Sequence, residues 1–253
     1  MEMKKIDVPV PSAEQILVRV KACGICGSDV AYYYGMSSLE TPDGKGPLIL
    51  GHEFTGEVVD VGAIPEKLGL FKKGDRVVLD PVQYCNACEV CKKAMPNLCE
   101  KKAVLGVSVN GGFAEYCLSH YTGVHMIPDG VSYEEAAMTE PLACATYGVS
   151  KMEIKLGDFA IVFGAGAIGT MMMQLAKSSG AGKVLAVDTV DYRLDIAKKL
   201  GVDYVYNVAA QDSPYYTADL KKTVQELTGG RFVDACICAT GAVPAMEQAF
   251  QVT

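Results

Sequence analysis

The sequence predicts a two-part α/β protein: a β-rich half to about residue 150, then a doubly wound parallel sheet over 151–253. Three observations predict it. Alternating apolar residues, punctuated by Gly and Pro, fill the first half. From about Lys155, short apolar runs alternate with segments of helical length. Late in the first half lies Ser132-Tyr133-Glu134-Glu135, a capping box that opens a helix.

Residues 15–21 alternate and put Ile16, Val18 and Val20 on one face of a strand. Residues 54–62, 75–79 and 112–118 read as further strands, with Pro42, Gly44, Gly46, Pro47, Gly69 and Gly74 marking turns between them. A helix is expected over 134–148, bent by Pro141. The second half then reads strand 159–163, helix 167–179, strand 183–187 ending at Asp188, and helix 191–200 stopped by Gly201. Strand 204–206, helix 217–228 and strand 233–238 follow. Strands joined through helices imply right-handed crossovers in a parallel sheet.

Half of the 253 residues are hydrophobic and 21% are charged, enough apolar surface for a real core. The net charge of -7 and the lack of a basic run argue against nucleic acid and anionic membranes as partners. The opening MEMKKIDVPV lacks the apolar core of a signal peptide. The apolar stretch 159–176 is broken by Gly164, Gly166 and Gly169, which fits a strand, a turn and a helix better than a membrane span. Ten cysteines in a chain of this length fit reduced thiols in a cytoplasm better than a disulfide framework.

Four of those cysteines, Cys85, Cys88, Cys91 and Cys99, form a C-x2-C-x2-C-x7-C run. Thiolates two residues apart in a short loop can converge on one ion. Four sulfurs without a histidine fill a tetrahedral shell, the mark of a structural zinc site that does no chemistry. Gly164-Ala165-Gly166-Ala167-Ile168-Gly169 is G-x-G-x-x-G between an expected strand and helix, and Asp188 ends the next strand. The glycines allow a tight turn, close approach of a pyrophosphate and close packing of helix on strand, and the helix N-terminus faces the phosphate. Asp188 suits a ribose hydroxyl and repels a 2′-phosphate, which favours NAD over NADP, while Arg193 nearby could hold that phosphate. Cys26, His52 and Glu53 are residue types that ligate zinc; the bland alternatives are a buried thiol for Cys26 and a core or capping histidine for His52.

The wider pattern resembles the zinc-containing medium-chain dehydrogenase/reductase family, nearest to its sorbitol-like polyol and secondary-alcohol dehydrogenases. The residues that carry the resemblance are CGICGSD at 23–29, GHEFTGEV at 51–58, the four-cysteine lobe, GGFAEY at 111–116, EPLA at 140–143, and the glycine motif with Asp188. It implies a GroES-like β-rich catalytic domain followed by an incomplete Rossmann domain. It also implies two zinc ions and NAD as cofactors, and a homo-oligomer for the full-length protein. Cys26 and His52 match catalytic zinc ligands. Glu53 matches the acid beside that histidine, and Glu140 stands where many alcohol dehydrogenases place a second Cys and polyol enzymes place Glu. Either acid could ligate the metal. Ser28 matches the hydroxyl that passes the alcohol proton onward. Cys144 is expected in the core, and His120 and His125 in a loop. Many family members carry a relay histidine where this chain has Ala31, followed by Tyr32, Tyr33 and Tyr34.

The resemblance implies hydride transfer from a secondary alcohol or polyol to NAD. A threonine-type amino-alcohol dehydrogenase shares the motifs, and a non-catalytic zinc- and nucleotide-binding fragment is the reading from another class. Four expected strands instead of six imply a fragment of a longer enzyme.

Overall fold

The computed structural model describes residues 1–253, which fall into two compact units, 1–140 and 141–253. The first unit is built on a five-stranded antiparallel sheet in the order β6-β1-β2-β3-β7. These strands are β1 (Gln15–Gly24), β2 (Glu53–Val61), β3 (Arg76–Leu79), β6 (Tyr116–His120) and β7 (Val124–Met126). Strands β4 (Val82–Gln83) and β5 (Ala103–Val104) form a separate small pair. Ile16, Val18, Phe54, Val58, Val77 and Leu79 are buried in one core cluster.

Short helices α1 (Gly27–Tyr33), α2 (Ala63–Lys67) and α3 (Glu89–Lys92) sit in the connections. Helix α4 (Tyr133–Ala137) starts at the predicted capping box: Ser132 Oγ accepts the Glu135 N–H at 3.1 Å, and Glu135 accepts the Ser132 N–H at 2.8 Å. The expected bent helix is two helices, α4 and α5 (Thr139–Ser150), parted at Met138. Pro141 stands in the first turn of α5, where its missing N–H costs nothing. A helix restarts there instead of bending. The two units part between Glu140 and Pro141, near the start of α5, about ten residues before the boundary expected near residue 150. Other readings shift: residues 112–115 are bends and the strand begins at Tyr116, His120 ends β6 and His125 lies in β7 instead of a loop, and the helix expected from 217 begins at Leu220.

The second unit is a four-stranded parallel sheet in the order β10-β9-β8-β11. Its strands are β8 (Phe159–Phe163), β9 (Lys183–Asp188), β10 (Tyr204–Asn207) and β11 (Ala235–Cys238). Helices α6 (Ala167–Ser178), α7 (Asp191–Lys199), α8 (Leu220–Thr228) and α9 (Val243–Val252) connect or follow them. β8 is buried at every residue and β9 at all but Lys183, as expected of strands covered on both faces. The tight turn between β8 and α6 lies at the carboxyl end of the sheet, where this architecture binds its ligands.

Candidate active site

β1 pairs antiparallel with β2, with Gly24 opposite Glu53 and Cys23 opposite Phe54. That register brings the loop after β1 beside the start of β2. Cys26 is the N-cap of α1, and Asp29 at the third helical position closes the box: its carboxylate accepts the Cys26 N–H at 2.8 Å. The other Asp29 oxygen takes the Gly51 N–H at 3.4 Å and lies 3.6 Å from His52 Nδ1. Asp29 is 1% exposed. One buried carboxylate therefore ties the Cys26 turn to the His52 strand. Gly51 has φ +91, and a Cβ there would fall 2.6 Å from the Phe113 ring and 2.9 Å from Cys23 Sγ.

Donor atoms of Cys26, His52 and Glu53 all lie within 4.8 Å of one another. Gly24 makes room for the last of them, since a Cβ there would sit 2.2 Å from Glu53 Oε2. The Cys26 thiol is drawn below its ordinary value chiefly by its hydrogen bond with His52; burial opposes this, and Ser28 adds to it through hydroxyl and N–H. His52 is raised by the same bond, against burial and with help from the fields of Asp29, Cys26 and Glu140. One hydrogen bond thus carries both effects and favours the thiolate form of Cys26, the form that binds metals. His52 Nδ1 is buried with no hydrogen-bond partner, a deficit of about 1–3 kcal/mol in a closed core. Thiolate, imidazole and carboxylate together fit zinc, with three protein ligands and an open position.

Cys85, Cys88, Cys91 and Cys99 converge as a second cluster within the same 4.8 Å limit. Cys88 Sγ lies 3.4 Å from Cys91 Sγ and 4.0 Å from Cys99 Sγ. Zinc–sulfur bonds of about 2.3 Å give a tetrahedron with edges of about 3.8 Å, so the sulfurs already stand at metal spacing. Backbone N–H groups of Cys85 and Lys101 point at Cys99 Sγ, and that of Cys88 at Cys85 Sγ, each at 3.4 Å. The Cys91 and Glu100 N–H groups pull the Cys88 thiol down to about 6, while burial pushes Cys91 up to about 12. None of the ten cysteines is in a disulfide.

In the second unit the three glycines of the motif differ in surroundings. Gly164 has φ +92 and turns the chain out of β8. A Cβ on Gly169 would lie 1.8 Å from Gly164 O, so α6 packs on the turn without space for a methyl. Nothing lies within 4 Å of a Cβ on Gly166, the N-cap of α6, which has no side-chain cap. Ala167 and Ile168 open that helix, and N–H groups of a first turn lack helical partners. Asp188 accepts the N–H groups of Ala165 (2.6 Å), Thr189 (2.8 Å) and Val190 (2.9 Å), with Arg193 Nη1 3.7 Å away.

The structure thus brings together Cys26, His52 and Glu53, places Ser28 on Cys26, and gathers Gly164, Gly166, Gly169, Asp188 and Arg193 at one turn. Glu140 stands outside the convergent triad, although its charge acts on His52. Cys144 is exposed on α5, not in the core. The His120 ring accepts the Thr122 N–H and stacks on Tyr121. Asp29 is a site residue that the motifs do not single out. Its signal was present: an acid three residues after Cys26 is the acidic half of a capping box.

A metal-binding antiparallel unit joined to a dinucleotide-type parallel sheet defines a zinc- and nucleotide-binding dehydrogenase. Residues 12–129 match the family model described as alcohol dehydrogenase GroES-like domain, and 167–253 the one described as zinc-binding dehydrogenase. The chain is 40% identical over 251 residues to a D-arabitol-phosphate dehydrogenase of Enterococcus avium, covering 97% of this chain and 67% of that one. It is 36% identical over 242 residues to a sorbitol dehydrogenase of Halalkalibacterium halodurans, covering 95% and 66%. An alcohol dehydrogenase of Escherichia coli solved with NADH superposes with a TM-score of 0.83 at 32% identity, over 98% of this chain and 68% of that one. The chain belongs to the zinc-type alcohol dehydrogenase family, a family of oxidoreductases, and spans about two thirds of the length of the curated relatives it matches. None of its helices is long and apolar enough to cross a membrane.

Proposed function

We propose that this protein oxidises a secondary alcohol or polyol by hydride transfer to NAD. The convergence of Cys26, His52 and Glu53 within 4.8 Å, in a chain that also carries the open glycine turn at Gly166, supports this reading most directly. When bound, zinc lowers the pKa of an alcohol at its open position and NAD supplies the hydride acceptor. Cys26, His52 and Glu53 are the ligands, and Glu140 is a second carboxylate acting on the site. Asp29 holds the Cys26 turn and the His52 strand in place. Ser28 Oγ accepts the alcohol proton. Gly166 and the start of α6 seat the pyrophosphate, and Asp188 holds the adenosine ribose and disfavours a 2′-phosphate. The four-cysteine lobe holds a second, structural zinc. Ten cysteines outside any disulfide suit a reducing compartment.

The experiment is metal analysis followed by a substrate panel with NAD and NADP, covering diols, polyols, sugar-alcohol phosphates and threonine. About two zinc per chain, NADH formed on a secondary alcohol or polyol, and its loss in Cys26→Ala are expected. One zinc per chain, or full turnover in Cys26→Ala, would overturn the assignment. Turnover confined to threonine would reassign the substrate to the amino alcohols.

A further inference from the structure

On the functional reading above, a dinucleotide meets the second unit in the crevice outside the carboxyl ends of its strands. Two loops flank Asp188 there: residues 189–190, which lead into α7, and residues 208–216, which follow β10. Both expose apolar side chains, Val190 and Ala209. One side chain holds the two loops together. Asn207 ends β10 in register with Asp188 at the end of β9, and it is 0% exposed.

Every polar group of Asn207 has a partner. Its N–H donates to Tyr215 O at 2.9 Å and its carbonyl accepts the Thr217 N–H at 3.0 Å, so the 208–216 loop closes on it. Oδ1 accepts the N–H groups of Ala209 and Ala210, each at 2.9 Å. Two N–H donors on one oxygen fix the orientation of the amide and leave Nδ2 as the donor toward α7. There it donates to Asp191 Oδ1 at 2.7 Å, the same oxygen that accepts the Ser213 O–H at 2.6 Å. Asp191 is the first residue of α7. The turn from Asp188 to Asp191 is therefore held at both ends. The Asp188 carboxylate takes the Thr189 and Val190 N–H groups, and Asn207 and Ser213 grip Asp191. The sheet needs only the backbone of Asn207; its side chain serves the two loops.

We infer that Asn207 is a positioning residue for the adenosine half of the dinucleotide: its amide ties the 208–216 loop to the turn beside Asp188 and sets that side of the crevice before the nucleotide arrives. Buried and bonded to both loops, it acts through them. A ligand that meets loops already ordered does not bear the cost of ordering them, and the difference appears as affinity.

The test uses Asn207→Asp, the double variant Asn207→Asp with Asp191→Asn, and Ser213→Ala in the full chain. ADP-ribose is the probe for the adenosine half and nicotinamide mononucleotide for the other, with thermal melting on each sample. Asn207→Asp puts an acceptor where the donor stood, against the Asp191 carboxylate. Its ADP-ribose affinity by calorimetry is expected to fall about tenfold or more, because binding must now order the loops. Binding of nicotinamide mononucleotide, read by NMR, is expected to stay as in wild type. Adding Asp191→Asn returns a donor to the pair, from the other side, and most of the affinity with it. Ser213→Ala buries no charge and reads the same tie where Asn207→Asp does not fold; a loss of about threefold is expected. Wild-type ADP-ribose affinity in folded Asn207→Asp, or in Ser213→Ala where Asn207→Asp does not fold, overturns the inference. So does a loss in Asn207→Asp that the double variant does not recover, or one shared equally by nicotinamide mononucleotide. A wild-type chain that binds neither NAD nor ADP-ribose overturns the nucleotide reading and the inference with it, a result distinct from a wild type that binds both beside an unaffected Asn207→Asp.

Discussion

Gly24→Ala asks whether Glu53 is a metal ligand without touching any ligand. Gly24 and Glu53 face each other across β1 and β2. A Cβ on Gly24 would fall 2.2 Å from Glu53 Oε2 and 3.2 Å from Glu53 Cβ, whereas ordinary contact begins near 3.4 Å. The carboxylate must retreat by about 1 Å, while the strands stay, because the colliding atom is the far end of a flexible side chain. Zinc–oxygen bonds span only about 2.0–2.2 Å, so that retreat takes the oxygen out of coordination. Changes outside the ligand shell already cost about 10–100-fold in metal affinity, and losing one of three protein ligands costs at least that. Zinc is therefore expected to fall from about two to about one per chain after dialysis, with the lobe ion retained. Stability should move by no more than about 1 kcal/mol, since Ala in a strand offsets part of the strain. Metal analysis and thermal melting on the same sample read both. A variant that keeps two zinc with wild-type affinity would remove Glu53 from the shell and leave Glu140 as the carboxylate to examine.

At the cofactor turn, Gly169→Ala puts a methyl 1.8 Å from the backbone oxygen of Gly164, which cannot yield; a loss of about 1–3 kcal/mol is expected, with NAD binding by calorimetry abolished. Cys88→Ser removes one of four lobe sulfurs, and metal analysis should show one zinc lost and a lower melting temperature while the Cys26 site stays loaded. Asp203 carries a pH-dependent contribution. Burial would raise its carboxyl, but hydrogen bonds from Lys177, the Val184 N–H and Lys183 outweigh burial and hold it below its ordinary value of 3.8. A depressed acid stabilises the fold above its unfolded pKa and loses that contribution as pH falls through its folded pKa. Asp203→Asn should therefore cost about 1–2 kcal/mol at pH 7, and denaturant melts should show that difference vanishing well below pH 3.8.

The second unit was legible because its signals are local. An apolar run, a glycine pattern and an acid at the next strand's end lie within 30 residues, and β8, α6 and β9 fall within one residue of the expected bounds. The first unit depends on distant pairings. Helix α1 has poor helical residues, Gly27, Val30 and two tyrosines, so no propensity announced it. It forms because Asp29 caps the Cys26 N–H while bonding Gly51, a contact across 22 residues that exists only once β1 and β2 are in register. Helix α9 went unread because its apolar residues are mixed with Gln and Pro over only ten positions.

The same distinction decides which metal centre was easier to find. The lobe needs only its own loop. Its cysteines lie within 15 residues, and backbone N–H groups from that same loop hold the sulfurs at metal spacing. The Cys26 centre is assembled across the sheet. A one-residue slip of β1 against β2 would turn Glu53 to the opposite face and move Gly24 away from it. Its candidate ligands are thus specified less by their own types than by Gly24, Asp29 and Gly51, three residues outside the cluster itself. Substitutions at these three positions should therefore empty the catalytic centre and spare the lobe, whereas substitutions in the lobe should lower stability first and turnover only as a consequence.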